Sequence, residues 1–189
     1  RLLNTNKLHT QGSLINTGNS LDISIEGDGF FQVLMPDGRV GYTRSGAFSR
    51  NAEGTVVTAS GYPLQPEITI PSDALTINIA SDGLVSVQVP GAVDAEEVGQ
   101  ITLADFPNRQ GLSPNGESML MESPASGAPI VAAPFAEGMG RTVQGSLESS
   151  NVNVVQELVD MIETQRAYEV SSKTITSVDE MMRYLAQNV

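Results

Sequence analysis

Hydrophobic and polar residues alternate over short stretches through most of the chain up to residue 148. Leu21, Ile23 and Ile25 alternate with polar residues, and the same period of two returns at residues 75–79 and 84–89. Successive side chains of a strand point to opposite faces of the sheet, so this pattern predicts half-buried strands. Glycine, proline, asparagine and aspartate occupy the predicted turns between them, at residues 27–29, 36–39, 51–54 and 82–83.

Short strands separated by such turns predict a mainly β domain over residues 21–148, an irregular antiparallel sandwich or barrel. Residues 1–20 are polar and predict an extended lead-in. We expect residues 62–66 to form an edge segment because they contain two prolines. Residues 123–140 are rich in alanine, proline and glycine, which predicts a loop or linker. Residues 142–148 are expected to be an extended piece that leads into the last part of the chain.

The last part of the chain, residues 149–189, follows a different pattern. All 18 glycines and all 10 prolines lie at or before Gly145, so no helix breaker follows that point. Asn153 is a typical N-cap residue, and Gln156 follows it at the spacing of a capping box. The sequence therefore predicts one long C-terminal helix.

Apolar or small residues follow this helix in steps that alternate between three and four, which is the spacing of a heptad repeat. We call this row the helix seam, and Gln165 and Ser172 fill the two gaps between its apolar residues. Near Ile175 two steps of three follow each other, and this change of phase predicts a bend. The helix seam comprises Val154, Leu158, Met161, Gln165, Tyr168, Ile175, Val178, Met182 and Leu185.

The helix seam has two possible explanations. Either the helix folds back on its own β domain, or it is half of a coiled coil whose other half is another chain or another segment. A helix of about 35 residues is about 50 Å long, and an apolar stripe of that length is more than a small β domain can cover. The pattern therefore favours a coiled-coil core that serves self-assembly.

Charge and composition exclude several classes of partner. The formal net charge is −12, so nucleic acid and anionic membranes are not expected partners. The chain has no cysteine, which removes disulfides and thiolate chemistry. No apolar run approaches the roughly 18 residues that predict membrane insertion. The sequence begins at Arg1 without an apolar signal region, and we expect it to be a fragment of a longer protein.

The residues that could support catalysis are few. His9 is the only histidine and lies in the polar lead-in, where a lone exposed histidine predicts no activity. Glu96 and Glu97 could be half of a glycosidase pair, but adjacent acids in a loop are usually only solvated. We therefore predict no catalytic residue, no bound cofactor and no metal site.

The glycine-flanked acids are predicted to form turns. Gly27-Asp28-Gly29 is similar to half a phosphate loop, but no helix follows it. Asp28, Asp37 and Asp82 each lie beside glycine, yet none has the alternating acids of a calcium loop. Next to the first turn, Phe30 and Phe31 should point to opposite faces of a strand. One of the two rings then belongs to the core. The other ring lies in the core, at an interface or in an exposed patch.

Several ordered motifs together resemble a known family. The motifs are NTGNSL at 16–21, GDGFF at 27–31, YTRSGAF at 42–48, GYPL at 61–64, SNVN at 150–153 and ELVDMIETQRAYE at 157–169. They are similar to those of the bacterial flagellar axial proteins, the rod and hook family, over nearly the whole chain. The positions that carry the resemblance include Asn19, Gly27, Asp28, Gly29, Phe30, Phe31, Tyr42, Thr43, Arg44, Gly46, Asn151, Gln165, Arg166, Tyr168 and Glu169.

The resemblance implies a structural subunit rather than an enzyme. Its pattern is nearest to the distal rod of the basal body, with the hook and the proximal rod as alternatives. Family members pair an N-terminal helix, which this sequence does not include, with a C-terminal helix. They stack helically into a hollow shaft that transmits torque. The implied partners are copies of the same chain, proximal rod proteins, the hook protein and the P and L ring proteins. The implied location is the periplasmic rod, reached by type III export without a cleaved signal peptide.

The residues alone also allow a function of a different class. A β sandwich with a helical stalk could be a module that binds carbohydrate or another surface. Such modules present exposed aromatic platforms, whereas this chain has no tryptophan and only nine phenylalanines and tyrosines. The composition therefore favours the structural subunit.

Overall fold

The structure is a computed structural model that describes residues 7–91 and 94–187. For residues 185–187 it describes only the backbone. The chain divides between residues 150 and 151 into two compact units. The first unit contains all the described strands, and the second contains one helix, α1 (Val154–Gln187). The predicted class, mainly β with a single long C-terminal helix, is confirmed.

The strands of the first unit are short, and every ladder between described strands is antiparallel. They are β1 (Leu14–Asn16), β2 (Ile23–Glu26), β3 (Phe30–Leu34), β4 (Val40–Thr43), β5 (Phe48–Arg50), β6 (Val56–Thr58), β7 (Leu64–Gln65), β8 (Thr76–Ile79), β9 (Leu84–Gln88), β10 (Glu96–Gln100), β11 (Leu103–Asp105), β12 (Ser113–Gly116), β13 (Met119–Met121), β14 (Ile130–Ala132), β15 (Arg141–Gln144) and β16 (Ser146–Glu148). A 3₁₀ turn lies at Arg109–Gly111.

The largest sheet has seven strands in the order β12-β13-β4-β3-β11-β14, with β7 also paired to β3. Strands β10, β9 and β8 form a second sheet. Three two-stranded ladders complete the unit, namely β1 with β16, β2 with β15, and β5 with β6. The first strand of the chain therefore pairs with the last strand before the helix.

The seven-stranded sheet is covered on both faces because neighbouring residues of a strand point to opposite sides. Phe31 pairs with Leu103, and both belong to the main core, which also contains Ile23 and Ile25. Phe30 pairs with Ala104 in a smaller core on the other face. The smaller core comprises Phe30, Tyr42, Ala104, Phe106, Leu112 and Leu120.

Two expectations about irregular segments are wrong. Residues 123–140 are not simply a linker, because β14 pairs with β11 and Met139 is buried in the main core. Glu96 and Glu97 do not lie in a loop, since they begin β10 and pair with β9. Local composition gave the wrong result in both places because pairing with a distant strand outweighs weak local preference.

The lead-in contains a strand that the sequence did not predict. Residues 1–6 lie outside the described part of the chain, and residues 14–16 form β1, which pairs with β16. His9 is only partly exposed, because its ring meets that of Phe30 edge to face at 6.0 Å. Strand β12 was not expected either, since its sequence Ser-Pro-Asn-Gly carries no strand signal.

The helix begins where its N-cap predicts. Asn153 Oδ1 accepts hydrogen bonds from the backbone N–H groups of Val155 (3.1 Å) and Gln156 (3.3 Å), which confirms Asn153 as the cap. The Gln156 side chain bonds Asp160. The helix is unbroken through residues 174–178, where the Thr174 hydroxyl donates to the Val170 carbonyl. Such bonds often accompany curvature, and the bend itself stays a prediction.

Candidate functional site

A guanidinium group connects the motif residues of the first unit. Arg44 follows β4, and its Nη1 donates to the carbonyl oxygens of Gly27 and Gly29, both at 3.0 Å. Its Nη2 donates to the carbonyl of Ile25 at 3.2 Å, and its Nε lies 2.7 Å from Glu148 Oε2. We call Arg44, Glu148 and these three carbonyl groups the Arg44 clamp. Planar Arg is suited to this because it offers five donors in fixed directions.

The clamp holds the lead-in as well as the turn. The second carboxylate oxygen of Glu148 accepts the backbone N–H of Gly12 at 2.8 Å. Gln11 donates to the carbonyl of Ile25 and accepts the N–H of Gly27, at 3.0 and 3.1 Å. One ion pair thus joins the lead-in, the glycine turn and the strand that precedes the helix.

The sequence identified Arg44 by its motif but gave no sign of its partner. Glu148 lies 104 positions away and has no distinguishing neighbour in the sequence. Its side chain is 10% exposed and that of Arg44 is 19% exposed, so the pair is largely removed from water. Only the pairing of β1 with β16 brings the two groups together.

A second set of charges holds the same turn from outside. Arg109 places its Nη1 2.6 Å from Asp28 and binds both carboxylate oxygens of Asp105 at 2.7 Å. Burial works to raise the pKa of Asp105, but the hydrogen bonds from Arg109 and from the Phe106 N–H, together with the charges of Arg109 and Arg44, outweigh it and lower that pKa. The hydrogen bonds with Asp105 and Asp28 raise the pKa of Arg109. Asp28 is a turn residue as predicted, since its backbone carbonyl also accepts from Gly140.

The predicted aromatic positions are packing residues. Phe30 and Phe31 are both buried, on opposite faces of β3 as expected. Phe31 meets Phe48 edge to face at 5.1 Å, while Tyr42 meets Phe106 edge to face at 4.8 Å. Burial, with a smaller effect of the Glu122 charge, raises the pKa of Tyr42. These rings form the two cores and leave no exposed aromatic platform at these motif positions.

The remaining motif positions of the first unit fix the backbone. Thr43 is fully buried, and its hydroxyl donates to the carbonyl of Ser118 at 3.1 Å. Asn19 donates from Nδ2 to Asp22 Oδ1 at 3.0 Å within a turn. Gly46 lies so close to β2 that a Cβ there would be 1.5 Å from the carbonyl oxygen of Ile23. Each of these residues therefore has a structural role in the contacts that the structure shows.

The helix residues are exposed instead. Considered by itself, α1 leaves thirteen large apolar side chains in contact with solvent among its described side chains. They include the predicted helix seam residues Val154, Leu158, Met161, Tyr168, Ile175, Val178 and Met182, while the side chain of Leu185 lies outside the described part. Gln165, Arg166 and Glu169 are likewise exposed on the helix, and Asn151 is exposed just before it.

A metal-holding cluster and a membrane-spanning helix are both absent from the residues that the structure describes. The described residues contain no group of three or more histidine, cysteine, aspartate or glutamate side chains arranged to hold a metal ion. No described helix is both long enough and apolar enough to cross a membrane. What the arrangement offers is a β unit tied together at its glycine turn and a helix with an unusual amount of exposed apolar surface.

Known proteins share this organisation in sequence. Residues 24–87 match the family described as the flagellar hook protein FlgE/F/G D1 domain, and residues 143–188 match the flagellar basal body rod FlgEFG protein C-terminal family. The chain is 49% identical to the flagellar basal-body rod protein FlgG of Buchnera aphidicola subsp. Acyrthosiphon pisum (strain APS) over 187 residues. That alignment covers 99% of this chain and 72% of the relative.

Two relatives from one bacterium show which branch of the family this chain resembles more. In Caulobacter vibrioides (strain ATCC 19089 / CIP 103742 / CB 15), the rod protein FlgG is 42% identical, over 96% of this chain and 69% of the relative. The rod protein FlgF of the same strain is 34% identical, over 92% of this chain and 67% of the relative. The chain therefore resembles the FlgG branch more than the FlgF branch.

The chain belongs to the flagellar hook and basal-body rod family. It is a structural subunit of the basal-body rod, it is similar to proteins named FlgG, and it assembles with other flagellar components. The family is structural and not enzymatic. The alternative of a carbohydrate-binding module has no support from these relatives.

His9 provides a test of how the lead-in is held. Burial, and then the positive charges of Lys7, Arg109 and Arg44, lower the pKa of His9 below its ordinary value of 6.5. The unfolded chain therefore binds more protons than the folded one once the pH falls below about 6.5. We expect the free energy of unfolding to decrease as the pH falls from 7 through the lowered pKa of His9.

Urea unfolding of the parent and of His9→Gln between pH 5 and 8 measures this effect. Carboxylates contribute little in that range, so the parent should lose stability on acidification and His9→Gln should lose less. Equal pH slopes for the two proteins would show that protonation of His9 does not oppose folding.

Proposed function

We propose that this chain is a subunit of the distal rod that self-assembles helically into a hollow drive shaft and transmits torque to the hook. The observation that carries the proposal is the exposed apolar surface of α1. Burial of apolar surface contributes roughly 25 cal/mol per Å², so a helix seam of this length is a substantial source of association energy. Its relatives are named as rod proteins, which supports a shaft as the product of that association.

The two units would then have different tasks. Residues 149–189 would form the inner, polymerising part with the helix seam in a coiled-coil core. Residues 21–148 would form the outer β domain, and residues 1–20 would lead into it. A contact between unlike surfaces that does not close on itself generates a filament, whereas a closed contact gives a ring. The Arg44 clamp supports a rigid outer domain because it fixes the lead-in, a turn and the last strand together.

The proposed partners follow from that position. They are further copies of the chain, proximal rod proteins below, the hook protein above, and the P and L ring proteins around the shaft. The proposed location is the periplasm, reached through the flagellar type III apparatus without a cleaved signal peptide. The net charge of −12 supports a shaft that does not adhere to acidic neighbours.

The test changes one helix seam residue in the full-length protein. Leu158→Glu places a charge where the proposal requires an apolar contact, so basal bodies isolated from cells that make this variant should lack the distal rod and the cells should not swim. Gln156→Glu is the matched control, because it adds the same charge two positions away, outside the helix seam, and should leave rods and swimming unchanged. Normal rods with Leu158→Glu would contradict the proposal.

A further inference from the structure

One two-stranded ladder holds both ends of the β unit. In the described part of the chain, β1 pairs only with β16. The pairing continues past the two strands, since the Ser149 N–H donates to the Ser13 carbonyl oxygen at 2.8 Å. We call residues 12–18 together with residues 145–149 the latch. The chain enters the β unit through one strand of the latch and leaves the unit through the other.

The inner end of the latch has a glycine on each strand. Gly18 has a φ of +71° and Gly145 a φ of +74°, a region of backbone conformation that favours glycine. The two glycines face each other, because a Cβ on Gly145 would lie 3.9 Å from the Cα of Gly18. The N–H of Gly145 donates to the carbonyl of Asp22 at 2.7 Å, which anchors this end beside β2. Glycine gives the backbone its greatest freedom, so the inner end is suited to be a hinge.

The Arg44 clamp holds the outer end of the latch. One carboxylate oxygen of Glu148 accepts the Gly12 N–H at 2.8 Å, and the other lies 2.7 Å from Arg44 Nε. Gln11, next to Gly12, bonds the backbone around the glycine turn at 3.0 and 3.1 Å. At about 3.4 Å per residue of strand, Glu148 is ~10 Å from Gly145. The clamp and the pair of glycines therefore lie at opposite ends of the latch.

Apolar burial contributes little to the latch. All three residues of β1 are exposed, with Leu14 at 38% and Ile15 at 55%. Strand β3 of the large sheet has four buried residues of five. A ladder of two strands is only marginally stable by itself, and segments with few buried apolar contacts open at a lower free energy than the core. The closed latch therefore depends on the bonds of the Arg44 clamp.

We infer that the latch opens as a separate unit. Its two strands part from the outer end and turn about Gly18 and Gly145, while the seven-stranded sheet stays folded. The Arg44 clamp is the lock that keeps the latch closed. Both connections from the β unit to the rest of the chain leave at the outer end, so a force along them pulls Ser13 and Ser149 apart. The ladder then loses its hydrogen bonds one after another, because the load falls first on the outermost bond.

The use of the latch rests on the proposed function. In a shaft that transmits torque, load reaches the outer β domain through the two strands of the latch. A closed latch makes the two connections act as one, whereas an open latch leaves the β unit on two single chains. Hydrogen bonds with ionised partners are about twice as strong as neutral ones. The Arg44–Glu148 pair puts such bonds at the end where the load arrives.

Hydrogen exchange of the purified full-length protein in increasing urea tests the separate opening. Amides of the latch should exchange at least about 100-fold faster than amides of β3 and β4. Their rates should change little with urea, because a local opening exposes little surface. Equal rates with equal urea dependence would mean that the latch opens only when the whole unit unfolds, which overturns the inference.

An engineered disulfide tests whether the two strands part. Ile15→Cys with Leu147→Cys places one cysteine on each strand at directly opposite positions. Opposite residues of a ladder have Cα atoms about 4.5–5.5 Å apart, a distance that a disulfide can span, and the chain has no other cysteine. Oxidation should slow exchange in the latch by about 10-fold or more, and reduction should restore it. The reduced form is the matched control, and equal exchange in the two forms would overturn the inference.

Glu148→Ala tests the lock, because it removes the acceptor of both Arg44 and Gly12. Exchange in the latch should become about 10-fold faster or more. Glu26→Ala is the matched control, since Glu26 pairs with Arg141 at 2.6 Å across β2 and β15, but the two side chains are 44% and 49% exposed. It should change the rate by less than about 3-fold. An unchanged rate with Glu148→Ala would show that the clamp is not the lock. If Glu148→Ala does not fold, Glu148→Gln takes its place.

Swimming separates this inference from the proposed function. Cells whose rods contain Glu148→Ala should swim more slowly than parent cells, and the added pair Ile15→Cys with Leu147→Cys should restore swimming. Ile15→Cys alone cannot form the bond within one copy and should not restore it. Normal swimming with an open latch would overturn its part in carrying load, while the proposed shaft would stand. Absence of any rod from the unsubstituted protein would refute the proposed function and leave the measured opening of the latch unaffected.

Discussion

Gly46→Ala should prevent the β unit from folding or destabilise it by on the order of 4 kcal/mol or more, which is the range of the most damaging single substitutions. A Cβ at this position would lie 1.5 Å from the carbonyl oxygen of Ile23 and 2.7 Å from its carbon. Both atoms belong to the backbone of β2, so no side-chain rotation relieves the overlap. The Gly46 carbonyl also accepts the N–H groups of Ile23 and Phe48, both at 3.0 Å. Moving the chain away would break these bonds.

Circular dichroism and urea unfolding measure the effect of Gly46→Ala. Gly41→Ala is the matched control in β4, because the added Cβ there meets the flexible side chain of Met35 at 3.2 Å and not a backbone. Its cost should be well below that of Gly46→Ala. If the two substitutions have the same small effect, β2 does not approach residue 46 as closely as the structure shows.

Arg44→Met should destabilise the β unit by about 3–5 kcal/mol, the usual cost of removing one partner from a buried ion pair. The substitution keeps the apolar stem but removes the donors to three backbone carbonyls and to Glu148. It leaves the carboxylate of Glu148, which is 10% exposed, without its cation. The turn at Gly27 and Gly29 would lose the group that holds its carbonyls in place.

Two further variants separate charge from packing in the Arg44 clamp. Arg39→Met removes an exposed arginine whose pair with Asp37 is 64% and 43% exposed, and it should change stability by no more than about 0.5 kcal/mol. The double variant Arg44→Met with Glu148→Gln removes the unpaired charge and keeps an oxygen for the Gly12 N–H. It should recover part of the loss in urea unfolding. A small effect of Arg44→Met alone would show that the clamp contributes little.

The resemblance of the motifs indicated which residues matter but not what each one does. Tyr42, Thr43, Arg44 and Gly46 lie within one short motif, yet they pack a ring, hold a carbonyl, bind an acid and leave room for a neighbouring strand. Each role depends on a partner far along the chain. A sequence pattern records that these residue types occur together and contains no information on the distances between their side chains.

The helix shows a different limit. The heptad spacing identified the helix seam. Steps of three and four select only the residues of one row and leave out the other apolar residues of the helix. Placing every exposed side chain around the axis adds Val155, Val159 and Ile162 on one flank of the first half and Met181 and Tyr184 on another flank of the second. The seam leaves these residues out, and only the full set of exposed apolar side chains shows that their side differs between the two halves of the helix.

The sequence by itself determined the local elements. The alternation of apolar residues, the glycine turns and the absence of helix breakers after Gly145 are local properties, and the backbone responds to them through steric limits and hydrogen bonds within a few residues. Asn153 likewise caps the helix through bonds to its immediate neighbours.

Only the tertiary structure decided which distant groups meet. Strand β14 forms because β11 offers an edge, and Arg44 finds Glu148 because β1 and β16 pair at the two ends of the unit. These contacts depend on how the whole sheet packs around Phe31 and Leu103, since a side chain gains a partner only after the backbone around it has been fixed. The free energy that selects them is shared over the entire core, so no short stretch of sequence contains it.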